Sequence, residues 1–448
     1  MVVAGRGVTR WGFCVLVVAG LLGASCSGGS DSTQPTSLPE TTAPSATTAL
    51  PSTTAPPQTT PDPTTTPSVT APAVTTTTLP VPSLVNVAIA TSDFNTCSVR
   101  SDGSVYCWGN NYIGQLGNGT RVNSSEPVMV EGITDGVSVV AAREHYCVLH
   151  RDGKVSCWGR NKSGNLGNGT FVDSNIPVSV SGISDAVALS AGYSQTCALH
   201  TDGSISCWGL NRFGEFGNGK SGREDELHSI PVKTLNITDA ISITTGLNHT
   251  CALHPDRTIS CWGHNKYGQL GNGSSVDSSV PTKVLGINDA IAIAAGSDYT
   301  CAIHQSRTIS CWGENYGGQL GNGETKNTSP VPVKVLGIDD AVSLVQSPSL
   351  YLCAFRSNSK ITCWGINKHT MLAPGNREPP FYDLPGTQDR KIWSWNGRGE
   401  EEFFELPNSQ DITTLSLSRW HICAILKDAT IHCWGPNANR SDDTIAIP

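Results

Sequence analysis

Hydrophobic and polar residues alternate in short segments from residue 85 to the end of the chain, without the 3.6-residue period of an amphipathic helix. In one such segment, Cys197 and Leu199 precede a polar turn, and Ile205 and Cys207 follow it. This pattern predicts a β-hairpin with the three-residue loop 201–203. In that register Leu199 faces Ile205 and Cys197 faces Cys207, all on one side of the hairpin.

The same hairpin recurs seven times, and Trp-Gly follows the second cysteine of every copy. The facing cysteines are Cys97 and Cys107, Cys147 and Cys157, Cys197 and Cys207, Cys251 and Cys261, Cys301 and Cys311, Cys353 and Cys363, and Cys423 and Cys433. The facing apolar residues are Val99 and Val105, Leu149 and Val155, Leu199 and Ile205, Leu253 and Ile259, Ile303 and Ile309, Phe355 and Ile361, and Ile425 and Ile431. Residues that face each other in a non-hydrogen-bonded pair come close enough for a disulfide, so each hairpin is predicted to contain one.

Only three of the seven loops have glycine at their third position, where a type I turn with a bulge needs a left-handed backbone. The other four loops have Arg257, Arg307, Ser359 and Ala429 there. A non-glycine residue in that conformation costs roughly 1–2 kcal/mol. The disulfides, at about 2–3 kcal/mol each in the loop-entropy account, are expected to offset this cost.

Two further strands flank each hairpin, one upstream such as 239–244 and one beginning at a proline such as 332–335. A glycine-rich run such as 268–273 lies between the hairpin and the proline strand. Four short strands in about 50 residues are typical of one blade of a β-propeller. The predicted fold is all-β: a seven-bladed β-propeller of four-stranded blades over residues 85–448.

The two ends of this array suggest how the ring closes. Residues 85–90 align with the upstream strands, and residues 444–448 are the candidate for the one strand still missing. We expect the two termini to pair in one blade, because that would remove open sheet edges.

The N-terminal region has the composition of a targeting segment followed by a spacer. Residues 1–25 combine two arginines and no acid with a short apolar run, as in a secretory signal peptide. The small residues before Cys26 resemble a bacterial lipoprotein signal, in which the cysteine is lipidated, although Gly23 stands where such signals usually have leucine. The alternative is an ordinary signal peptide. Residues 26–84, rich in Thr, Pro and Ser, are predicted to form a disordered stalk.

Charge and cysteine usage indicate the compartment in which the protein is located and the kinds of partner that it binds. The formal net charge is −8 at pH 7, and loss of Arg6 and Arg10 with the signal peptide takes it to −10. An acidic surface without basic runs argues against nucleic acid and against anionic lipid surfaces, so membrane contact is expected only through a lipid anchor. Fourteen cysteines in seven evenly spaced pairs favour an oxidising compartment. The expected location is extracytoplasmic, either lipid-anchored at the cell surface or secreted.

The run Cys-Trp-Gly-x-Asn-x-x-Gly-Gln-Leu-Gly-Asn-Gly resembles the signature of the regulator of chromosome condensation repeat family. Its clearest copies are 108–119, 262–273 and 312–323, and the resemblance covers residues 85–448. It implies a seven-bladed propeller and, because fold and function are separable, no particular activity. The name-giving member is a nuclear exchange factor for a small GTPase that also binds chromatin, whereas a secreted bacterial relative inhibits β-lactamase. No site residue is carried over from either protein.

Two sets of repeated polar residues are candidates for ligand binding. They are the asparagines Asn111, Asn161, Asn211, Asn265, Asn315, Asn367 and Asn437, and the histidines His150, His200, His254 and His304. We interpret the asparagines as turn residues, and four histidines on four blades are not expected to converge on one metal. The glycine runs lack the lysine and the helix of a phosphate site. The sequence therefore predicts no metal site, no cofactor and no catalytic residue.

Departures from the repeat are the better candidates for binding. The third repeat has a charged insertion containing Arg223 and Glu224, and a longer irregular segment replaces the glycine run of the sixth repeat. That segment contains four aromatic residues outside the repeat pattern, Phe381, Tyr382, Trp393 and Trp395. The favoured function is a monomeric binding module whose rim loops take an unknown protein or glycan. The alternatives are a guanine nucleotide exchange factor, by family analogy, and a passive envelope spacer.

Overall fold

A computed structural model describes residues 85–223, 226–325, 327–345, 350–365, 404–405 and 409–434. The chain divides into residues 1–77 and 78–448, and all described residues belong to the second part. Within these ranges no helix is long and apolar enough to span a membrane. The predicted signal peptide, Cys26 and the stalk up to residue 84 lie outside the described residues.

The described strands form seven separate antiparallel sheets, each following the order of the sequence. The first three blades are β1 (Asn86–Thr91), β2 (Asn95–Arg100), β3 (Val105–Gly109), β4 (Ser124–Met129); β5 (Gly136–Ala141), β6 (His145–His150), β7 (Val155–Gly159), β8 (Ser174–Ser179); and β9 (Ala186–Ala191), β10 (Gln195–His200), β11 (Ile205–Leu210), β12 (Leu227–Lys233). The next two are β13 (Ser242–Thr245), β14 (His249–Leu253), β15 (Ile259–Gly263), β16 (Ser278–Lys283); and β17 (Ala290–Ala295), β18 (Tyr299–His304), β19 (Ile309–Gly313), β20 (Ser329–Lys334). The last two are β21 (Ala341–Val345), β22 (Tyr351–Arg356), β23 (Ile361–Gly365), β24 (Phe404–Glu405); and β25 (Ile412–Leu417), β26 (Ile422–Leu426), β27 (Ile431–Trp434), preceded by a 3-10 helix at Ser409–Asp411.

This architecture confirms the predicted seven-bladed propeller. Six sheets have four strands, and the seventh has three within the described residues. The expected pairing of the two termini in one blade is wrong for the N-terminal strand, because all four strands of the first blade come from residues 86–129. Residues 444–448 lie outside the described residues.

The predicted hairpin register is also confirmed. Cys197 pairs with Cys207 and Leu199 with Ile205. The turn is closed by a hydrogen bond of 2.9 Å from the backbone N–H of His200 to the carbonyl of Ser204, which leaves the cysteines at a non-hydrogen-bonded pair.

All seven predicted disulfides form, each within its own hairpin. In every pair the two Cα atoms are 4.0 or 4.1 Å apart, the close approach expected of facing residues in a non-hydrogen-bonded pair. The bonds join Cys97 to Cys107, Cys147 to Cys157, Cys197 to Cys207, Cys251 to Cys261, Cys301 to Cys311, Cys353 to Cys363, and Cys423 to Cys433. The first six pairs are fully buried, so these disulfides belong to the packing of their blades.

The four hairpin loops without glycine have the left-handed backbone that the sequence predicts. The φ angles are 67° at Arg257, 65° at Arg307, 64° at Ser359 and 66° at Ala429. Four L-residues are therefore held in a conformation that favours glycine, next to the strands that the disulfides join.

The tryptophan after each second cysteine joins neighbouring blades. Trp208 is fully buried, and its indole N–H donates to the carbonyl of Asn165 in the preceding blade at 2.9 Å. Equivalent bonds start from Trp158, Trp262, Trp312 and Trp364. Gly167 permits this approach, because a Cβ there would lie 2.9 Å from the Trp208 ring. The interpretation of these tryptophans as packing residues is confirmed.

The repeated asparagines are structural in each described blade that carries the glycine run. The side-chain oxygen of Asn111 accepts the backbone N–H of Leu116 at 2.9 Å, and its amide donates to backbone carbonyls of the same loop. The first of these bonds recurs at Asn161, Asn211, Asn265 and Asn315. Asn367 and Asn437 lie outside the described residues.

Among the described residues, side chains connect the last blade to the first. His421 Nε2 lies 2.9 Å from Thr96 Oγ1, and the backbone N–H of Thr91 donates to Ser416 Oγ at 2.9 Å. Ile89 and Trp108 pack into a buried apolar cluster with the seventh-blade residues Cys423, Ile425, Ile431 and Cys433. Equivalent His–Thr contacts join His145 to Thr196 and His249 to Thr300, and we call these three pairs the interblade belt.

Candidate functional site

The propeller has two rims built from different turns. The hairpin rim contains the loops between the second and third strands of each blade, such as 201–203. The loop rim contains the turns between the first and second strands, such as 192–194, together with the residues that follow the third strand, such as 211–213.

Both ring nitrogens of the repeated histidines on the hairpin rim make contacts within the propeller. His200 Nδ1 lies 2.7 Å from Asp185 Oδ1, and its Nε2 lies 2.9 Å from Ser206 Oγ. The same two contacts recur at His150, His254 and His304. Because both ring nitrogens are engaged within one blade, these histidines tie three strands together and have no free nitrogen for a metal. Among the described residues no group of three or more His, Cys, Asp or Glu side chains is arranged as a metal site.

A repeated backbone bond holds the two components of the loop rim together. His264 N–H donates to the carbonyl of Asn248 at 2.9 Å, and Glu314 N–H donates to that of Asp298 at 2.9 Å. The residues after the third strand are therefore fixed against the preceding turn in each of these blades.

Four aromatic side chains of the loop rim form a continuous series across blades three, four and five. The ring centroids of Phe213 and His264 are 4.5 Å apart, those of His264 and Tyr267 6.3 Å, and those of Tyr267 and Tyr316 6.2 Å. The last two contacts are edge-to-face, a favourable geometry for aromatic pairs. We call these four residues the aromatic run. Its outermost member, Tyr316, is 56% exposed.

Polar groups lie beside the aromatic run. Asp298 and His264 have side chains that are each only 15% exposed, with 3.4 Å between Asp298 Oδ1 and His264 Nδ1. The buried amide of Gln269 donates to Asp298 Oδ1 at 2.9 Å and lies 3.1 Å from His264 Nδ1. Since Gln269 belongs to the fourth blade and Asp298 to the fifth, this cluster lies at a junction between blades.

A second patch on the loop rim joins the first three blades. Arg143 lies 3.7 Å from Asp93 Oδ2, and its guanidinium lies 4.9 Å from the centroid of Tyr193. Burial raises the pKa of the Asp93 carboxyl, while the nearby Arg143 and Arg419 partly oppose that shift. This patch is largely self-paired.

Glu215 lies buried beneath the start of the aromatic run, in the place that Gln or Asn occupies in the first, second, fourth and fifth repeats. Its Oε2 accepts the backbone N–H of Phe213 at 2.8 Å, and its Oε1 has no hydrogen-bond partner among the described residues. Burial raises the pKa of this carboxyl to about 8. Glu215 is therefore protonated at neutral pH and resembles the amide of the other repeats.

The candidates predicted from the sequence are only partly described. Arg223 is exposed, and its neighbour Gly222 donates its N–H to the carbonyl of Arg212 at 2.9 Å, so the insertion begins beside the aromatic run. The remaining candidates, Glu224, Phe381, Tyr382, Trp393 and Trp395, lie outside the described residues.

Sequence reasoning missed the aromatic run because its four members are spread over three different positions of the repeat. Phe213 and Tyr267 are two residues after the repeated asparagine, Tyr316 is one residue after it, and His264 is one residue before it. The available signal was that three successive repeats each place an aromatic ring within two residues of that asparagine.

A cavity of about 400 Å³ lies between the innermost strands. Its lining combines aliphatic residues such as Val140 and Leu344 with six hydroxyl side chains, those of Thr91, Thr245, Ser343, Thr413, Thr414 and Ser416. The loop rim adds aromatic and charged side chains and therefore offers more specific contacts.

Comparison with known proteins identifies the family. The profile of the RCC1-like domain matches residues 59–397, and no curated protein matches the chain. Yeast RCC1 (Prp20) bound to Kap60 is 18% identical, covers 77% of this chain and 83% of its own, and has a TM-score of 0.61. Prp20p of Saccharomyces cerevisiae, reported with its binding to Gsp1p and histones, is 20% identical over 75% of this chain and 80% of its own, with a TM-score of 0.61. Human WBSCR16 is 18% identical over 76% of this chain and 86% of its own, with a TM-score of 0.62.

At these identities the solved structures share the fold alone, whereas the profile spans well over half of the residues. A seven-bladed ring, Trp-Gly after each third-strand cysteine and the asparagine-anchored glycine run agree with that match. The chain belongs to the RCC1-like domain family.

Proposed function

We propose that this protein is an exported binding module whose loop rim takes a protein or glycan partner. The observation that supports this most is the aromatic run, four rings on three successive blades with a polar cluster beside them. Aromatic residues in such a rigid setting are typical binding anchors. The hairpin rim, by contrast, uses its repeated histidines internally.

Export is part of the same proposal. Seven disulfides within the propeller favour an oxidising compartment, and the sequence before residue 85 fits a signal peptide followed by a stalk. We expect lipidated Cys26 to anchor the protein, so Cys26→Ser should release it into the medium. Wild-type protein that is already fully soluble outside the cell would contradict the anchor.

Membership of the RCC1-like family favours one other function, guanine nucleotide exchange on a small GTPase. The solved structure of Prp20p was described together with its binding to Gsp1p and histones. Exchange requires a cytoplasmic or nuclear location, so cell fractionation separates it from the exported module. A passive spacer, the third possibility, requires no specific partner.

The test uses the full chain carrying Cys26→Ser, immobilised and exposed to envelope extract. We expect the chain to retain a specific partner, and the double variant Phe213→Ala, Tyr316→Ala to lose it. The matched control is Tyr112→Ala, which removes the tyrosine at the repeat position equivalent to Tyr316, exposed to 53% on the first blade. Equal retention by the chain and the double variant would refute the role of the loop rim.

A further inference from the structure

We infer that the cluster of Asp298, His264 and Gln269, with the aromatic run beside it, is a binding site for a neutral glycan chain. This inference rests on the proposed binding function and assigns it a ligand class. We call the aromatic run, of which His264 is a member, together with Asp298 and Gln269 the junction site.

The hydrogen bonds around Gln269 determine which atoms of the junction site are available. Its Oε1 accepts the backbone N–H of Tyr267 at 3.0 Å, so its Nε2 is the atom that faces His264 and Asp298. This N–H group donates to His264 Nδ1, which makes Nδ1 the acceptor and places the imidazole proton on Nε2.

His264 therefore offers an N–H donor at Nε2, and Asp298 offers an acceptor at Oδ2. Neither atom has a hydrogen-bond partner within the described part of the chain, whereas His264 Nδ1 and Asp298 Oδ1 are both held by Gln269. A sugar hydroxyl both donates and accepts, so an adjacent donor and acceptor held in fixed positions suit neighbouring hydroxyl groups. Such prearranged polar groups beside apolar surface are typical of small-ligand sites.

The apolar part of the junction site suits the C–H faces of sugar rings. Phe213 and Tyr267 are half-buried and braced against His264, and Tyr316 extends the apolar surface outward. Successive centroids are 4.5 to 6.3 Å apart, comparable with the length of one hexose residue in a chain. A series of rings across three blades therefore suits an oligosaccharide better than a single sugar.

Charge favours a neutral ligand. Asp298 and Glu314 are adjacent, since the backbone N–H of Glu314 donates to the carbonyl of Asp298 at 2.9 Å. The nearby cations Arg212 and Lys266 already lie over Phe213 and Tyr267, at 5.6 and 5.4 Å from the ring centroids. The charges of Asp298 itself and of the adjacent Glu314 would repel a uronic acid or a phosphate.

The experiment titrates the full chain carrying Cys26→Ser with cellohexaose, mannohexaose, maltohexaose and chitohexaose, and with hexagalacturonate as the anionic probe. We expect at least one neutral hexasaccharide to bind and hexagalacturonate to bind more weakly or not at all. Asp298→Asn and Tyr316→Ala should each weaken binding at least tenfold, while Tyr112→Ala should leave it unchanged. Melting temperatures of all three variants should stay near that of the parent chain, because Tyr112 and Tyr316 are exposed and the asparagine in Asp298→Asn keeps an oxygen that can accept from Gln269.

The inference is overturned if no neutral hexasaccharide binds, if only hexagalacturonate binds, or if Asp298→Asn and Tyr316→Ala bind as well as the parent. Retention of a protein from envelope extract that Phe213→Ala, Tyr316→Ala abolishes, without binding to any neutral glycan, would refute the glycan site and leave the proposed binding function standing. Glycan binding that Tyr112→Ala weakens equally would also refute the junction site.

Discussion

The two rims of the propeller use similar residues in opposite ways. On the hairpin rim, four blades repeat one His–Asp–Ser arrangement, and each histidine satisfies both of its ring nitrogens within its own blade. On the loop rim, His264 has no equivalent histidine in the other repeats, and only one of its ring nitrogens is engaged, next to the rings of Phe213 and Tyr267. Repetition in this chain thus marks residues that stabilise every blade, whereas departures from the repeat mark the surface available to a ligand.

The largest expected effect is acid destabilisation through the interblade belt. Burial lowers the pKa of His145 to about 3 and those of His249 and His421 to about 4. Below about pH 6.5 these histidines are protonated in the unfolded chain but stay neutral in the native chain. The free energy of unfolding is therefore unaffected above that pH and falls as the pH drops towards 4. At about 1.4 kcal/mol per pKa unit, each histidine accounts for up to about 3 kcal/mol.

Chemical denaturation between pH 7 and pH 4 measures this loss. His421→Gln should make the unfolding free energy depend less steeply on pH, because glutamine does not titrate. The third blade already has glutamine at this repeat position, as Gln195. His145→Gln should reduce the pH dependence in the same way, and an unchanged pH dependence in both variants would exclude titration of the interblade belt as its cause.

The second-largest expected effect is a loss of stability when the packing between blades is disturbed. Trp208→Ala should lower the unfolding free energy by about 3–5 kcal/mol, because it leaves a cavity and removes the bond to Asn165. Denaturant titration measures the change. A loss below about 1 kcal/mol would show that the repeated tryptophans contribute little to blade packing.

Beneath the loop rim, Glu215→Gln should stabilise the protein in alkaline conditions. The pKa of Glu215 is raised to about 8 in the native chain, so the unfolded chain ionises first and wild-type stability falls as pH rises from about 4.5 to 8. We expect a gain of about 4 kcal/mol at pH 8, shrinking to none near pH 4, because each pKa unit corresponds to about 1.4 kcal/mol. A pH-independent difference would exclude titration of Glu215 as its cause. Gln269→Glu, the reverse substitution at the equivalent position of the next blade, should have the opposite effect.

The smallest expected effect is on stability at the hairpin rim, and it distinguishes the roles of the two rims. His200→Ala should cost about 1–2 kcal/mol, because it breaks the contacts with Asp185 and Ser206, and should leave partner binding unchanged. Phe213→Ala should show the reverse pattern, weaker partner binding with little change in melting temperature. If His200→Ala weakened partner binding as much as Phe213→Ala, the assignment of binding to the loop rim would be wrong.

The sequence predicts the repeated parts of the fold because local rules determine them. Alternation about a short turn defines each hairpin, and ten-residue spacing defines each disulfide. Left-handed residues such as Arg257 follow from their position in the loop. Ring closure was less accessible, because the contact between His421 and Thr96 joins residues 325 positions apart. It repeats the His–Thr pairs of other blades, but the spacing of the repeats does not show that the last blade meets the first.

The junction site was inaccessible for a related reason. Gln269 and Asp298 come from different blades, and their contact depends on where the glycine-rich loop of one blade meets the turn of the next. A repeat alignment compares each residue with its equivalents in other blades. It does not reveal which non-equivalent residues meet across a junction.

The spacing of the cysteines has a consequence for how the protein matures. In each blade the two thiols are ten residues apart in one hairpin, and both strands of that hairpin emerge consecutively during synthesis. Each thiol therefore finds its own partner at a higher local concentration than any thiol of another blade. Oxidation can proceed blade by blade from the N-terminal end, with correct pairing complete before the ring closes and little need for disulfide exchange.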